Sequence, residues 1–404
     1  MPDLQPEIRT VSVRNIEEIA THFDAWDHLA WEAPQRLPPL LPDWVDAFLQ
    51  HKLSPSEHWL CCFAYIGDRL VGALPVIITP HRILGSSWPT LRTPSDVLTL
   101  SGDVLLACDQ AKPAFEALLV ELRHQVPHHL SLELKAVRQN SPVWEAVKGG
   151  IHGYAIRFGL HSQYSLLNVN GDADSYWSSL GNMRRNVRRY RKKLESRGQV
   201  TVEIRKGSTA TEGLLAKYMA LEASGWKGRT GTAMTTSPFY ATLIRNFAAR
   251  GRWEWHIIRV GERIIALGMG VVCGAALMLP KIAFDEEFAD CMPGSLLTAE
   301  VIKSGFSRPE LDEINHLSNS DWHGLWRMSQ DKYVDVYLIR RSIASLLFQL
   351  PRVAIRSAYH NIVRPRIPAF VKEARRKFAR RGDRKPRRAA DSRPAHSDST
   401  LTQD

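Results

Sequence analysis

Cysteine is scarce in this 404-residue sequence, with only Cys61, Cys62, Cys108, Cys273 and Cys291. The number is odd and no pair has metal-site spacing, so buried thiols in a reducing cytoplasm are expected rather than disulfides or zinc. Cys61 and Cys62 are neighbours on an expected strand and so point to opposite faces. No run of about 20 apolar residues occurs, which excludes a membrane-spanning helix. The opening MPDLQPEIRT has neither a basic nor an apolar leader region, so no signal peptide is expected. Charge imbalance is missing from most of the chain. The net charge is +11, but Arg340–Asp404 hold 17 Lys and Arg against 5 Asp and Glu, leaving 36 against 37 before them. The basic character therefore belongs to the tail, and a balanced body argues against DNA binding. Against these absences stand 12 tryptophans and a 44% hydrophobic content, enough for a folded chain with more than one core.

Periodicity supplies the elements. IRTVSVR reads as a strand, and Asn15 caps the helix IEEIATHFDAWDHLAW. LPDWVDAFLQHK is a helix with Pro42 in its first turn. WLCCFAYIGDRLVGALPVIIT is a hairpin turning at Gly67-Asp68. The helix DQAKPAFEALLVELRHQ, the strand HLSLELKAV and the short helix SPVWEAVKGG follow, and HSQYSLLNV leads into the second half. There, Trp177, Leu180, Met183, Val187, Tyr190 and Leu194 form one amphipathic stripe. The strand VTVEIRKG comes next, with helices TEGLLAKYMALEASGW and PFYATLIRNFAAR after it. WEWHIIRVG, RIIALGMGVVCG and ALMLPKIAF are three strands joined by tight turns. The helix GSLLTAEVIKSGF and the strands LDEINHL and KYVDVYLIR close the body. Each half thus repeats one order of elements, without visible sequence identity between halves. The expected division is 1–165, 166–340 and a basic helical extension with a disordered tail over 341–404.

Two segments invite chemistry. In MRRNVRRYRKKLESR (183–197), eight of fifteen residues are basic. A solvated face accounts for many of them, while Arg184, Arg185 and Arg188, nearest the helix start, suit phosphates of a donor or a nucleotide-linked acceptor. In CMPGSLL, Pro293, Gly294, Ser295 and Leu296 open a helix whose first-turn amides form a phosphate cradle, although Pro-Gly-Ser is also an ordinary helix start. EASGWKGRTGTA reads either as a capped helix with an aromatic anchor or as a loop over an acceptor.

The ordered set MRRNVRRYRKKLESRG, LEASGWKGRTGTAM, KIAFDEEFADCMPGSLLTAEVIK and SNSDWHGLWR resembles the acetyltransferase domain of the CelD/BcsL-like proteins. These belong to the GNAT superfamily and are linked to cellulose and other exopolysaccharide biosynthesis. The resemblance is strong from about Asp172 to Arg340 and weaker before it. It implies an α/β (α+β) fold of tandem GNAT-like acyl-CoA N-acyltransferase lobes, similar in architecture to the Fem peptidyltransferases. It also implies acetyl-CoA or another acyl-CoA as donor, no metal, and a sugar, nucleotide-sugar or amine acceptor. The chain departs from the better-known GNAT phosphate loop, since no Gln/Arg-x-x-Gly-x-Gly/Ala occurs. Trp226, Lys227 and Lys281 are assigned to the acceptor. A base is needed to take the acceptor's proton, and Asp285, Glu222, Asp321 and His316 are the candidates. His316 and His323, seven apart, match no common zinc motif and read as structural. Apolar residues among arginines in IASLLFQLPRVAI fit either a helix on an anionic membrane surface or one packed on the body. The expected location is cytoplasmic and peripheral at the inner membrane. The alternatives are a Fem-like transferase using aminoacyl-tRNA and a non-catalytic binding subunit of a polysaccharide synthase.

Overall fold

Capping and turn chemistry place the first elements where the sequence puts them. The Asn15 side chain accepts from the Glu17 N–H, and Ser141 accepts from the Trp144 N–H at 3.3 Å, each satisfying an orphan donor of a helix start. Gly67 takes φ 57° at the hairpin turn. The computed structural model describes residues 7–359, apart from 84, 97, 98, 100, 211, 232 and 235–237. The expected basic helix and disordered tail beyond 359 lie outside the described residues. Residues up to Ser357 form one compact unit.

The first half runs β1 (Arg9–Val13), α1 (Phe23–Glu32), α2 (Pro42–His51), β2 (His58–Ile66), β3 (Arg69–Thr79), β4 (Thr90–Arg92), α3 (Ala111–Gln125), β5 (Ser131–Arg138), α4 (Pro142–Lys148) and β6 (Tyr154–Asn168). The second half begins with α5 (Ala173–Ser179), α6 (Asn182–Glu195), β7 (Val200–Lys206), α7 (Gly213–Ser224) and α8 (Pro238–Ala249). It continues with β8 (Trp253–Val260), β9 (Arg263–Cys273), β10 (Ala276–Phe284), α9 (Pro293–Phe306), β11 (Glu313–Asn315), β12 (Ser329–Arg340) and α10 (Leu350–Ala358). The architecture is mixed α/β, as expected. Twelve strands join in one path, β1-β2-β3-β4-β5-β12-β6-β11-β10-β9-β8-β7.

That order contains a swap which the linear reading did not contain. β12, last in the chain, lies between β5 and β6 of the first half, antiparallel to both. Its buried Val334, Val336 and Leu338 pack in the same core as Leu132 and Leu134 of β5. β6 then hands the sheet on to β11, so the halves share one continuous hydrogen-bonded sheet.

Alternation divides the core between the two faces. Cys61 packs in one cluster and Cys62 in another. Cys108, expected to be buried, is exposed, because it follows β3's short partner at Leu105–Leu106 and starts a surface turn. The six residues of the amphipathic stripe all pack in one cluster, yet they ride on two helices, broken at Gly181 with φ 53°. At Gly274, which takes φ 54°, an added Cβ would come within 2.7 Å of the Trp31 carbonyl oxygen. The β9–β10 hairpin therefore docks against the end of α1 through a bare backbone position.

Candidate active site

A gap opens where two parallel strands part. β10 and β11 pair through three residues, Ala276–Met278 with Glu313–Asn315. β11 stops because Leu317 takes φ 44° and its N–H turns onto Asn315 Oδ1 at 2.8 Å. β10 continues to Phe284, held on its other side by β9. The stretch Leu279–Phe284 thus faces the gap with one backbone edge outside the ladder. At the far end of that stretch the Asp285 carboxylate accepts from the Glu287 N–H at 3.1 Å and caps the 3-10 turn Glu286–Cys291. Met292 then takes φ 50° and Pro293 starts α9.

Leu296, Leu297, Val301 and Ile302 bury α9 in the core, which leaves its first turn beside Phe284. A Cβ on Gly294 would stand 3.4 Å from the Phe284 ring. Pro293 has no N–H, and the Leu296 N–H is taken by the Met292 carbonyl at 3.1 Å. The expectation for Leu296 is corrected on that ground, and the cradle reduces to the amides of half-buried Gly294 and Ser295. They sit at the positive end of the helix dipole.

On the α7 side of β10, three residues separated in sequence converge. Glu222, 3% exposed, accepts from the Lys227 ammonium, from the Tyr218 hydroxyl at 3.0 Å and from the Met234 N–H at 2.8 Å. Lys281 Nζ stands 3.8 Å from the same carboxylate. Burial pushes the Glu222 carboxyl up, but Lys227, the Met234 N–H and Lys281 outweigh it and leave it below the ordinary glutamate value. Burial holds the Lys281 ammonium below the usual lysine value, with Lys227 and Lys52 adding to that and Glu222 opposing it. Lys281 lies on the part of β10 that has left β11, so a cation of lowered pKa flanks the gap.

The other candidates fall elsewhere. α6 runs antiparallel to α9. Lys193 and Arg197 bind Asp290, just before α9, at 2.6 Å each, while Tyr176, ahead of α6, stacks on Phe306 at the far end of α9, at 5.1 Å. Arg184 and Arg185 therefore begin α6 near the end of α9, roughly 18 Å from Gly294 at 1.5 Å rise per residue. This packing sets Arg184 and Arg185 apart from the Gly294 amides. Arg184 and Arg185 donate to the neutral groups Ser178 and Asn182. Among the described residues none of the three arginines has a carboxylate within ion-pair distance.

Asp285, besides its capping bond, is paired with Arg263 at 2.5 Å, so neither carboxylate oxygen is idle. It lines a broad groove of about 560 Å³ with Lys217, Ser224, Glu286 and Glu287. Asp321 is exposed at the start of the 3-10 turn Asp321–Trp326. Trp226 begins the short helical turn Trp226–Arg229. His316 and His323 lie ring to ring at 4.7 Å, tilted by 31°. Burial, with His323 beside it, lowers His316 to about 3, and burial lowers His323 as well. His323 Nδ1 accepts from the Ser320 N–H at 3.2 Å. Both are buried neutral rings in the turn after β11. Among the described residues no group of three or more His, Cys, Asp or Glu is placed to hold a metal.

Sequence reasoning missed Tyr218 and Lys52. Tyr218 sits one helical turn before Glu222, so its i,i+4 spacing was a usable signal. Lys52 comes from the end of α2, pairs with Asp96 at 3.2 Å and lies 5.0 Å over the Phe239 ring. No local pattern links it to residues more than 160 positions away. Trp44 of α2 packs edge-on against Phe239 and Phe247 of α8, and this contact brings Lys52 to the site.

A family described as "Acetyltransferase (GNAT) domain" matches residues 181–316, the span from the start of α6 through β11. No curated protein matches. Among solved structures, "Crystal structure of FemX" superposes with a TM-score of 0.56 at 10% identity, covering 80% of this chain and 96% of that one. A conserved protein of unknown function from Bacteroides thetaiotaomicron gives 0.48 at 11%, covering 79% and 97%. A tandem GNAT protein from the clavulanic acid biosynthesis pathway gives 0.43 at 13%, covering 82% and 98%. At 10% identity the likeness to FemX concerns the fold alone. Residues 181–316 thus match a GNAT acetyltransferase domain, and this match supports acyl transfer as the enzymatic class.

Proposed function

We propose that the protein transfers an acetyl or longer acyl group from an acyl-CoA to an amine or hydroxyl of a sugar, nucleotide-sugar or related acceptor. The supporting observation is the divergence of β10 from β11, with the free amides of α9 at one end and Lys281 on the open strand. In this reading the thioester lies along the freed edge of β10 and its diphosphate meets the Gly294 and Ser295 N–H groups. Lys281, steadied by Glu222, stabilises negative charge as the carbonyl oxygen develops it. Lys227 and Lys52 attract an anionic group on the acceptor. The C–S bond breaks as the C–N or C–O bond forms, and the acceptor's proton ends on the CoA thiol. Glu222 and Asp285 are already engaged by cations and N–H groups, so they serve as positioning residues rather than as the base.

Calorimetric titration with acetyl-CoA and longer acyl-CoAs, followed by a thiol-release assay on amino-sugars and nucleotide-sugars, tests the reading. Acyl-CoA binding with acceptor-dependent thiol release supports it. Failure of every acyl-CoA to bind would sink it. Product formation dependent on aminoacyl-tRNA would then favour Fem-like transfer, and co-purification with a synthase would favour a binding subunit. The placement in envelope or cellulose-type polysaccharide synthesis, in the cytoplasm at the inner membrane face, rests on the family resemblance and on the basic extension.

A further inference from the structure

The helical segment after β12 leaves most of its large apolar residues outside the body's core. Ser345, Gln349 and Val353, four residues apart, are its buried side, with exposures of 0%, 9% and 3%. Val353 and, in part, Leu350 pack on Tyr337 and Ile339, but the other large apolar residues face out: Ile343 is 80% exposed, Ile355 70%, Leu347 65%, Leu346 44% and Phe348 39%. A helix normally buries its apolar stripe, and contiguous exposed apolar surface marks an interaction site.

Charge identifies the partner. Arg341 and Arg352 are exposed along this stretch, and the chain from Arg340 onward carries a net charge of +12 while the remainder carries −1. A second copy would bring the same positive charge against it, which disfavours self-association. A nucleic acid would satisfy the arginines but offer nothing to Ile343, Leu347 and Ile355. An anionic lipid surface satisfies both, with headgroups for the arginines and acyl chains for the apolar side. Beside the segment, Arg341 also lines a groove of about 360 Å³ with Trp144, Lys148, Ile151 and Phe158. Trp144 and Phe158 pack ring to ring at 5.2 Å. Aromatic rings next to cations are the chemistry of a membrane–water boundary. No helix among the described residues is long and apolar enough to cross a membrane, so the face is suited to lying on a bilayer.

We infer that the outward face of residues 343–355, together with exposed Arg341 and Arg352, docks the protein on an anionic bilayer. This docking is independent of the acyl-transfer reading. The test is flotation of the full chain with vesicles of phosphatidylglycerol mixed with phosphatidylcholine, against phosphatidylcholine alone. Flotation is expected with the anionic vesicles and should fall at least about tenfold in the Leu347→Asp/Ile355→Asp variant. In a separate variant, Leu347→Trp, tryptophan emission should shift to the blue when anionic vesicles are added, a readout that needs no loss of function. Undiminished flotation of the Asp variant would assign binding to the basic tail alone and overturn the inference. So would a failure of the unmodified chain to float, or a dimer in light scattering that the Asp variant dissolves, since that would make a second copy the cover.

Discussion

Lys281 and His316 show what a single buried titratable group does here. Lys281 is partly withdrawn from water and held beside Glu222, so its charge is aimed rather than solvated. Replacing it with Met keeps the volume and removes the charge. Lys281→Met should lower kcat by about 100-fold, the usual effect of deleting one preorganised oxyanion donor, with acetyl-CoA affinity by calorimetry nearly unchanged. Equal losses in both would make Lys281 a donor-binding group instead. His316 makes the fold sensitive to acid. Its folded pKa is about 3 against an ordinary 6.5, so between those values the unfolded chain binds a proton that the folded chain refuses. Stability therefore falls as pH drops from about 6.5 towards 3, by up to about 1.4 kcal/mol per unit from this group. Urea unfolding across that range should show a shallower pH slope for His316→Gln, and an unchanged slope would mean the ring is reached by solvent. The sequence made Glu222, Lys227 and Lys281 visible as residues with suitable chemistry. It could not show that they meet, because the contact runs between α7 and β10.

Most elements were legible, because each carries its own period and its own punctuation. The caps at Asn15 and Ser141, the proline in α2 and the turn at Gly67 are local devices whose effect does not depend on the rest of the chain. The arginine-rich helix was legible as a helix and illegible as a neighbour. Its charge pattern says that one face is wet, but only its antiparallel packing on α9 decides which arginines lie near Gly294. Two variants separate these readings. Ser295→Asp places a carboxylate at the start of α9 and should weaken acyl-CoA binding by about tenfold or more through repulsion of the diphosphate. Arg184→Ala with Arg185→Ala should leave that affinity within about twofold, because those side chains begin α6 roughly 18 Å away. Calorimetry on both decides, and the reverse ranking would return the phosphate to α6.

Across the whole molecule, the seam between halves is closed by charge as well as by the sheet. Arg138 of β5, whose side chain is 5% exposed, reaches Glu313 of β11 at 3.2 Å and the first residues of β12 through Asp331, and it also donates to the Gln35 carbonyl at 2.9 Å. Nearby, Arg252 donates to Asp27 of α1 at 2.7 Å. Arg138→Met would strand two carboxylates, and removing one partner of a buried ion pair costs about 3–5 kcal/mol. The denaturant midpoint should fall accordingly. Because β12 is shared across the sheet, unfolding should remain a single transition. Two resolved transitions would show that the halves are stable as separate domains.

The sequence by itself determined the element types, the amphipathic faces, the concentration of positive charge in the tail, and the polar side chains available for chemistry. These follow from periods of two and 3.6 residues and from side-chain chemistry, both of which are local. Tertiary structure alone decided that β12 returns to the first half, that β10 parts from β11 after Met278, and that Lys52 and Lys281 face one site. It also decided that the helix after β12 turns its apolar side outward. Each depends on which distant surfaces exclude water together, a choice made by packing between segments that no single stretch encodes.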